Sequence, residues 1–256
     1  MHMEWILLFA AGVVGGILNS IAGGGSFITF PALMFFGLPA VAANATNTFA
    51  VCAGYISGAY GFRQDIAHSA QRLPSLILIS LLGGALGAYL LLNVSEQQFL
   101  IAIPWLLLFA TLLFLFGHHL STWLAKGAQR VSLNPIWSTI SISLLLLLVS
   151  AYGGFFNAGL GVIVLSYLVL AGYTNINQMN GLKLLVSSCV SVIAIVVFMV
   201  DGVIDWQKGF AVMMGSLLGG YVAARVSRKV EQKYVKGFVA LSSIAMTLYF
   251  FADVYL

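Results

Sequence analysis

In the stretch NGLKLLVSSC, Asn180, Lys183 and Ser187 fall at i, i+3 and i+7, so an amide, an ammonium and a hydroxyl share one face of a helix. Such a set binds rather than reacts. It offers one positive charge and several hydrogen-bond donors, the chemistry needed to hold a small oxyanion. Lys183 is the only Lys or Arg deep within an apolar segment. An ammonium at membrane depth is costly and marks function, unless its flexible stem snorkels to the near surface. Both readings of Lys183 stand on the sequence alone.

Two further runs have the same polar character. NSIAGGGSF begins at Asn19 and NAGLG at Asn157, and each sets glycines within otherwise apolar helix. A helix-interior glycine costs about 1 kcal/mol relative to alanine. Breaks here release backbone amides at Gly23, Gly24, Gly25 and Ser26, and at Gly159 and Gly161, heading the short apolar segments 26–36 and 161–171. Helix N-termini of this kind suit anions. Asn44 and Asn47, in ANATNT, complete the polar set. The expected substrate-binding residues are therefore Asn19, Gly23, Gly24, Gly25, Ser26, Asn44, Asn47, Asn157, Gly159, Gly161, Asn180 and Lys183. The competing uses are close helix packing for the glycines and interhelical hydrogen bonding for the amides.

Residues for covalent chemistry are scarce. Neither H-E-x-x-H, G-x-S-x-G nor a P-loop occurs. Cys52 and Cys189 lie in apolar segments and read as buried free thiols. His2 is near the N-terminus, and His68, His118 and His119 fall in predicted loops, which leaves no intramembrane histidine shuttle. Asp65 and Asp201 sit at corresponding helix ends in solvated or capping roles. No catalytic residue, metal or cofactor is expected, and the chain is not read as an enzyme. With acidic ligands so few, an anion is a better substrate than a cation.

The elements that position these groups follow from composition. Of 256 residues, 61% are hydrophobic and 7% charged, against roughly a quarter charged in a soluble domain. Apolar segments run at 5–21, 26–36, 43–62, 74–92, 98–117, 135–156, 161–171, 178–200, 209–225 and 236–252. The expected fold is an all-α polytopic membrane protein of about 8–10 hydrophobic helices. The first segment has no Lys or Arg before it and reads as a retained helix rather than a cleaved signal.

Charges give sidedness. Arg63 and Arg72, then Lys126 and Arg130, then Arg225, Arg228, Lys229, Lys233 and Lys236 place nine of the eleven Lys and Arg on one, cytoplasmic, side. Glu4, Glu96, Asp201, Asp205, Asp253 and Lys208 fall on the other, with both termini periplasmic or exterior. The net charge of +4 therefore follows the cytoplasmic loops and does not indicate nucleic acid.

The chain also resembles itself. Gly15, Gly16 and Asn19 recur 138 residues later as Gly153, Gly154 and Asn157; Gly23, Gly25, Asn44 and Asp65 recur at 136 as Gly159, Gly161, Asn180 and Asp201. Gly83 and Gly87 return at 132 as Gly215 and Gly219. Two halves are expected, 1–125 and 135–256, joined by a cytoplasmic linker at 126–134. The charge assignment inverts the second half, an architecture shared by secondary transporters that bind substrate at interrupted helices.

The runs GGILNSIAGGGSFITFPALMFFGLPAVAANATNTF and GGFFNAGLGVIVLSYLVLAGYTNINQMNGLKLLVSSC resemble the paired signatures of the TauE/SafE sulfite-exporter (TSUP) family. The glycine triplet, Pro31, the GLP at Gly37, and the ANATNT and NGLK segments carry the resemblance. The second half departs from it, with NAGLG in place of a glycine triplet and no proline matching Pro31. The resemblance implies a multi-pass inner-membrane transporter of sulfite, thiosulfate, an organosulfonate or another small anion, whose partners are that anion and the bilayer. A passive anion channel is the alternative within the same class.

Overall fold

A bilayer core offers backbone groups no water, so a chain this apolar must close its hydrogen bonds within helices. The computed structural model describes residues 2–130, 135–226 and 232–256, which form eleven helices and no strand among the described residues. In order they are α1 (His2–Ala22), α2 (Ser26–Phe35), α3 (Ala40–Gly61), α4 (Arg63–Ala67), α5 (Leu73–Leu92), α6 (Glu96–Arg130), α7 (Pro135–Phe155), α8 (Leu160–Leu170), α9 (Ile176–Val200), α10 (Trp206–Val226) and α11 (Gln232–Tyr255). Six of them, α1, α5, α6, α7, α9 and α11, are long and apolar enough to cross a membrane. The chain is a polytopic helical membrane protein.

Each expected apolar segment is helical, with two differences. Helix α6 continues to Arg130, which places His118, His119 and Lys126 in helix rather than loop. The residues beyond its apolar stretch include Leu, Ala, Lys and Gln, good helix formers that carry the helix past the end of the hydrophobic run. A five-residue helix, α4, occupies part of the loop expected between Arg63 and Arg72. Of the expected linker, residues 126–130 continue α6 and 131–134 lie outside the described residues, as do Arg228 and Lys229.

Local capping starts the helices where polar residues interrupt the apolar pattern. Ser95 Oγ accepts from the Gln98 amide at 3.3 Å, and Gln98 Oε1 accepts from the Ser95 amide at 3.1 Å, a capping box at the head of α6. Asn175 Oδ1 accepts from the amides of Asn177 and Gln178 and starts α9. Helix α3 follows Pro39, which has no side-chain hydrogen bond to give. Its cap comes from across the fold instead: the Glu96 carboxylate accepts from the amides of Ala40 and Val41. We expect Glu96→Ala to cost about 1–2 kcal/mol by stripping both amides, read as a lower unfolding temperature of the purified protein.

Early and late helices interlock: α1 packs on α10, and α5 packs on α7. Both seams are backbone on backbone. A Cβ on Gly12 or Gly16 would strike the carbonyls of Val212 or Ser216 in α10, and one on Gly215 or Gly219 those of Phe9 or Val13 in α1. At the other seam, Gly87 meets the Ala151 carbonyl and Gly154 that of Gly84. The recurrent Gly83/Gly87 and Gly215/Gly219 pairs are thus the small-residue contacts that let helices approach closely in lipid. Behind the seams, Phe30 packs edge-on to Phe156 at 5.5 Å between ring centres, and both are fully buried.

Candidate functional site: two glycine breaks and a buried lysine

The first break lies between α1 and α2. Gly23 adopts φ +80°, a left-handed conformation that only glycine takes without strain. Its amide donates back to the carbonyls of Leu18 and Asn19, closing α1. The chain then turns back along α1: the Gly25 carbonyl and the Thr29 methyl group lie against the space beside Gly15. Were the helix continuous, residues 15 and 29 would stand roughly 21 Å apart. Helix α2 has only 10 residues and α8 only 11, each about half a membrane core in length.

The second break, between α7 and α8, repeats the device. Gly159 adopts φ +78° at the position that the 136-residue offset pairs with Gly23. The amides of Asn157, Ala158, Gly159 and Gly161 have no backbone partner among the described residues. They are the unpaired N–H groups that a helix start presents to an anion.

The breaks meet each other. A Cβ on Gly161 would lie 3.5 Å from the Cα and carbonyl oxygen of Gly23, and 3.5 Å from Cδ of Lys183. Lys183 is 4% exposed and so does not snorkel to the surface. Its Nζ donates one hydrogen bond, to Asn180 Oδ1 at 3.4 Å. No carboxylate among the described residues lies within 4 Å of it; the ion pair found among those residues, Lys208–Glu4, does not involve it. One turn on, Ser187 is fully buried and its hydroxyl has no partner. The face expected from the sequence carries an ammonium with spare donors and an unsatisfied hydroxyl.

The asparagines stitch the breaks together around a residue that sequence reasoning missed. Tyr55 of α3 donates to Asn157 Oδ1 at 3.0 Å, and Asn157 Nδ2 donates to Ser191 Oγ at 3.3 Å. Asn19 and Ser26 lie beside the Tyr55 hydroxyl. Asn47 donates to Ser26 Oγ at 3.2 Å and accepts from Thr29. Asn19, Ser26, Asn47 and Asn157 therefore form one buried polar cluster. Asn44 stands apart: its Nδ2 donates to the Phe155 carbonyl at the end of α7, and its buried Oδ1 has no partner.

The glycines divide by task. Gly23 and Gly161 face one another, and Gly161 also lies beside the Lys183 stem. A Cβ on Gly24 would press Val239 of α11, one on Gly25 the Gly15 carbonyl of α1, and one on Gly159 the Ala110 methyl of α6. Close packing is thus a use of these three, whatever their amides do. Two surface cavities, one apolar between α6, α7 and α8 and one polar beside α4, do not include Lys183 among their linings.

The comparisons bear on this arrangement. The Sulfite exporter TauE/SafE family matches residues 8–250, both breaks and Lys183 included. The chain belongs to this family. Among curated relatives, a "Probable membrane transporter protein" of Haemophilus influenzae is 30% identical over 242 residues, 94% of this chain and 92% of that one. A "Probable membrane transporter protein ORF9" of a Sinorhizobium species is 29% identical over 96% of this chain and 92% of its own. The "Probable membrane transporter protein YfcA" of Escherichia coli K12 is 28% identical, covering 94% and 87%. No solved structure matches this TauE/SafE chain.

Proposed function

We propose that this membrane transporter is a secondary carrier of a small sulfur-containing anion, such as sulfite, thiosulfate or an organosulfonate. The anion binds where Gly23, Gly161, Asn180 and Lys183 converge, and crosses by alternating access of two halves of inverted topology. The observation that carries the reading is Lys183 itself. A buried ammonium with a single neutral hydrogen-bond partner is costly, and an anion at the adjoining break relieves that cost. The unpaired amides of Asn157, Ala158, Gly159 and Gly161 add donors without adding a competing carboxylate. Recurrence of the left-handed glycine and the crossed packing of α1 on α10 and α5 on α7 support a duplicated, pseudo-symmetric origin.

The test is a thermal-shift and binding screen of the purified protein against sulfite, thiosulfate, sulfate, taurine, sulfoacetate and carboxylate controls. A sulfur oxyanion is expected to stabilise the fold most, and a screen in which the carboxylates stabilise it equally would remove the sulfur preference.

In this reading both termini lie outside the cell membrane and the α3–α5 connection inside. With the native thiols Cys52 and Cys189 replaced, a cysteine introduced at Met3 or Leu256 should react with a membrane-impermeant maleimide in intact spheroplasts. One introduced at Arg63, exposed at the start of α4, should react only after permeabilisation. The reverse pattern would overturn the assigned orientation.

A further inference from the structure

The polar cavity beside α4 lies at the head of the same helix that carries Lys183. Its volume is about 480 Å³, and residues 67–72, Tyr173 and Gln178 line it. The wall is fixed in place, because Gln178 Nε2 donates to Ser69 Oγ at 2.7 Å and joins the α4–α5 connection to α9. The Arg72 guanidinium stands over the Tyr173 ring at 5.7 Å. No carboxylate among the described residues lies within 4 Å of Arg72. The Tyr173 hydroxyl is buried and has no hydrogen-bond partner. His68 and Gln71 add exposed polar groups at the rim.

Arg72 is exposed and has no carboxylate partner, and it meets the orphaned Tyr173 hydroxyl in one open surface cavity, a pairing complementary to an oxyanion. The space exceeds what a bare oxyanion fills and falls within the range of small-molecule sites. We propose that this cavity is a second anion site, which holds an oxyanion bearing a short organic group, of the organosulfonate type. Arg72 binds the oxyanion, Tyr173 donates its hydroxyl, and the apolar edge of the Tyr173 ring contacts the organic part. From Gln178 to Lys183 is five residues, about 7.5 Å along α9. The cavity therefore serves as a vestibule from which the anion is handed toward the glycine breaks. The choice of anion class rests on the transport reading above, whereas the site itself rests on its own residues.

Calorimetric titration of the detergent-solubilised full chain with sulfoacetate tests the two sites separately. The wild type should bind two anions per chain. Arg72→Gln should weaken the vestibule site tenfold or more and leave the other unchanged, and Tyr173→Phe should weaken the same site severalfold. Lys183→Gln should weaken only the inner site, about ten- to a hundredfold. A titration in which Arg72→Gln and wild type coincide overturns the vestibule, as does a wild type that binds no sulfoacetate. If Arg72→Gln abolishes binding while Lys183→Gln leaves it whole, the vestibule stands and the inner transport site is the reading that fails.

Discussion

Lys183→Gln should weaken the affinity of the purified protein for its anion by about one to two orders of magnitude. Charged hydrogen bonds contribute roughly 1.5–3 kcal/mol, and each 1.4 kcal/mol is about tenfold in binding. Glutamine keeps most of the volume and one donor group, so the loss reports the charge. The fold should not suffer: the substitution removes a buried ammonium whose one partner is Asn180. An unchanged or raised unfolding temperature in the absence of anion is expected, together with a smaller stabilisation when anion is added. An affinity within about a factor of two of wild type would mean that Lys183 does not touch the anion.

The second large effect separates the two uses of glycine. At Gly161 a new Cβ would sit 3.5 Å from Gly23 and from the Lys183 stem, an ordinary contact distance. Gly161→Ala should therefore fold normally and still lower transport at least tenfold, because the methyl occupies the gap where the two breaks meet. Gly161→Val should abolish transport. Gly16→Ala should behave differently, since its Cβ would overlap the Ser216 carbonyl in a seam with no side chain able to yield. Overpacking of this kind costs typically 1–3 kcal/mol and often more, so loss of monodisperse protein on size exclusion is expected. Full transport by Gly161→Ala in proteoliposomes would place the anion path elsewhere.

Much of this was legible in the sequence because membrane helices announce themselves by composition and glycine breaks by contrast. The left-handed Gly23 and Gly159 and the glycine pairs at 83/87 and 215/219 stand at positions that the repeat offsets single out, and helical spacing alone marks the face of half-buried Asn180 and buried Lys183 and Ser187. Tyr55 was not legible. Within an apolar helix one tyrosine looks like any other, and its bond to Asn157 spans 102 residues. Nor did local pattern distinguish glycines that face the site from those that face a neighbouring helix. Gly24 and Gly25 adjoin Gly23 in sequence, yet their side-chain directions lead to α11 and α1. That division is set by tertiary direction, not by residue type. The cross-chain cap on α3 escaped for the same reason, since Glu96 lies more than fifty residues from the amides it holds.

The crossed seams have a consequence for how the protein is made. When the ribosome has delivered only the first half, the glycine-lined grooves of α1 and α5 face lipid with nothing to fill them. Their partners, α10 and α7, belong to chain not yet synthesised. Helix α5 waits for α7, about sixty-five residues later, but α1 must wait for α10, about two hundred residues later. The α1 groove is therefore among the last contacts that assembly can close. Long-range closure of this sort is slow and leaves a window for capture by quality-control proteases.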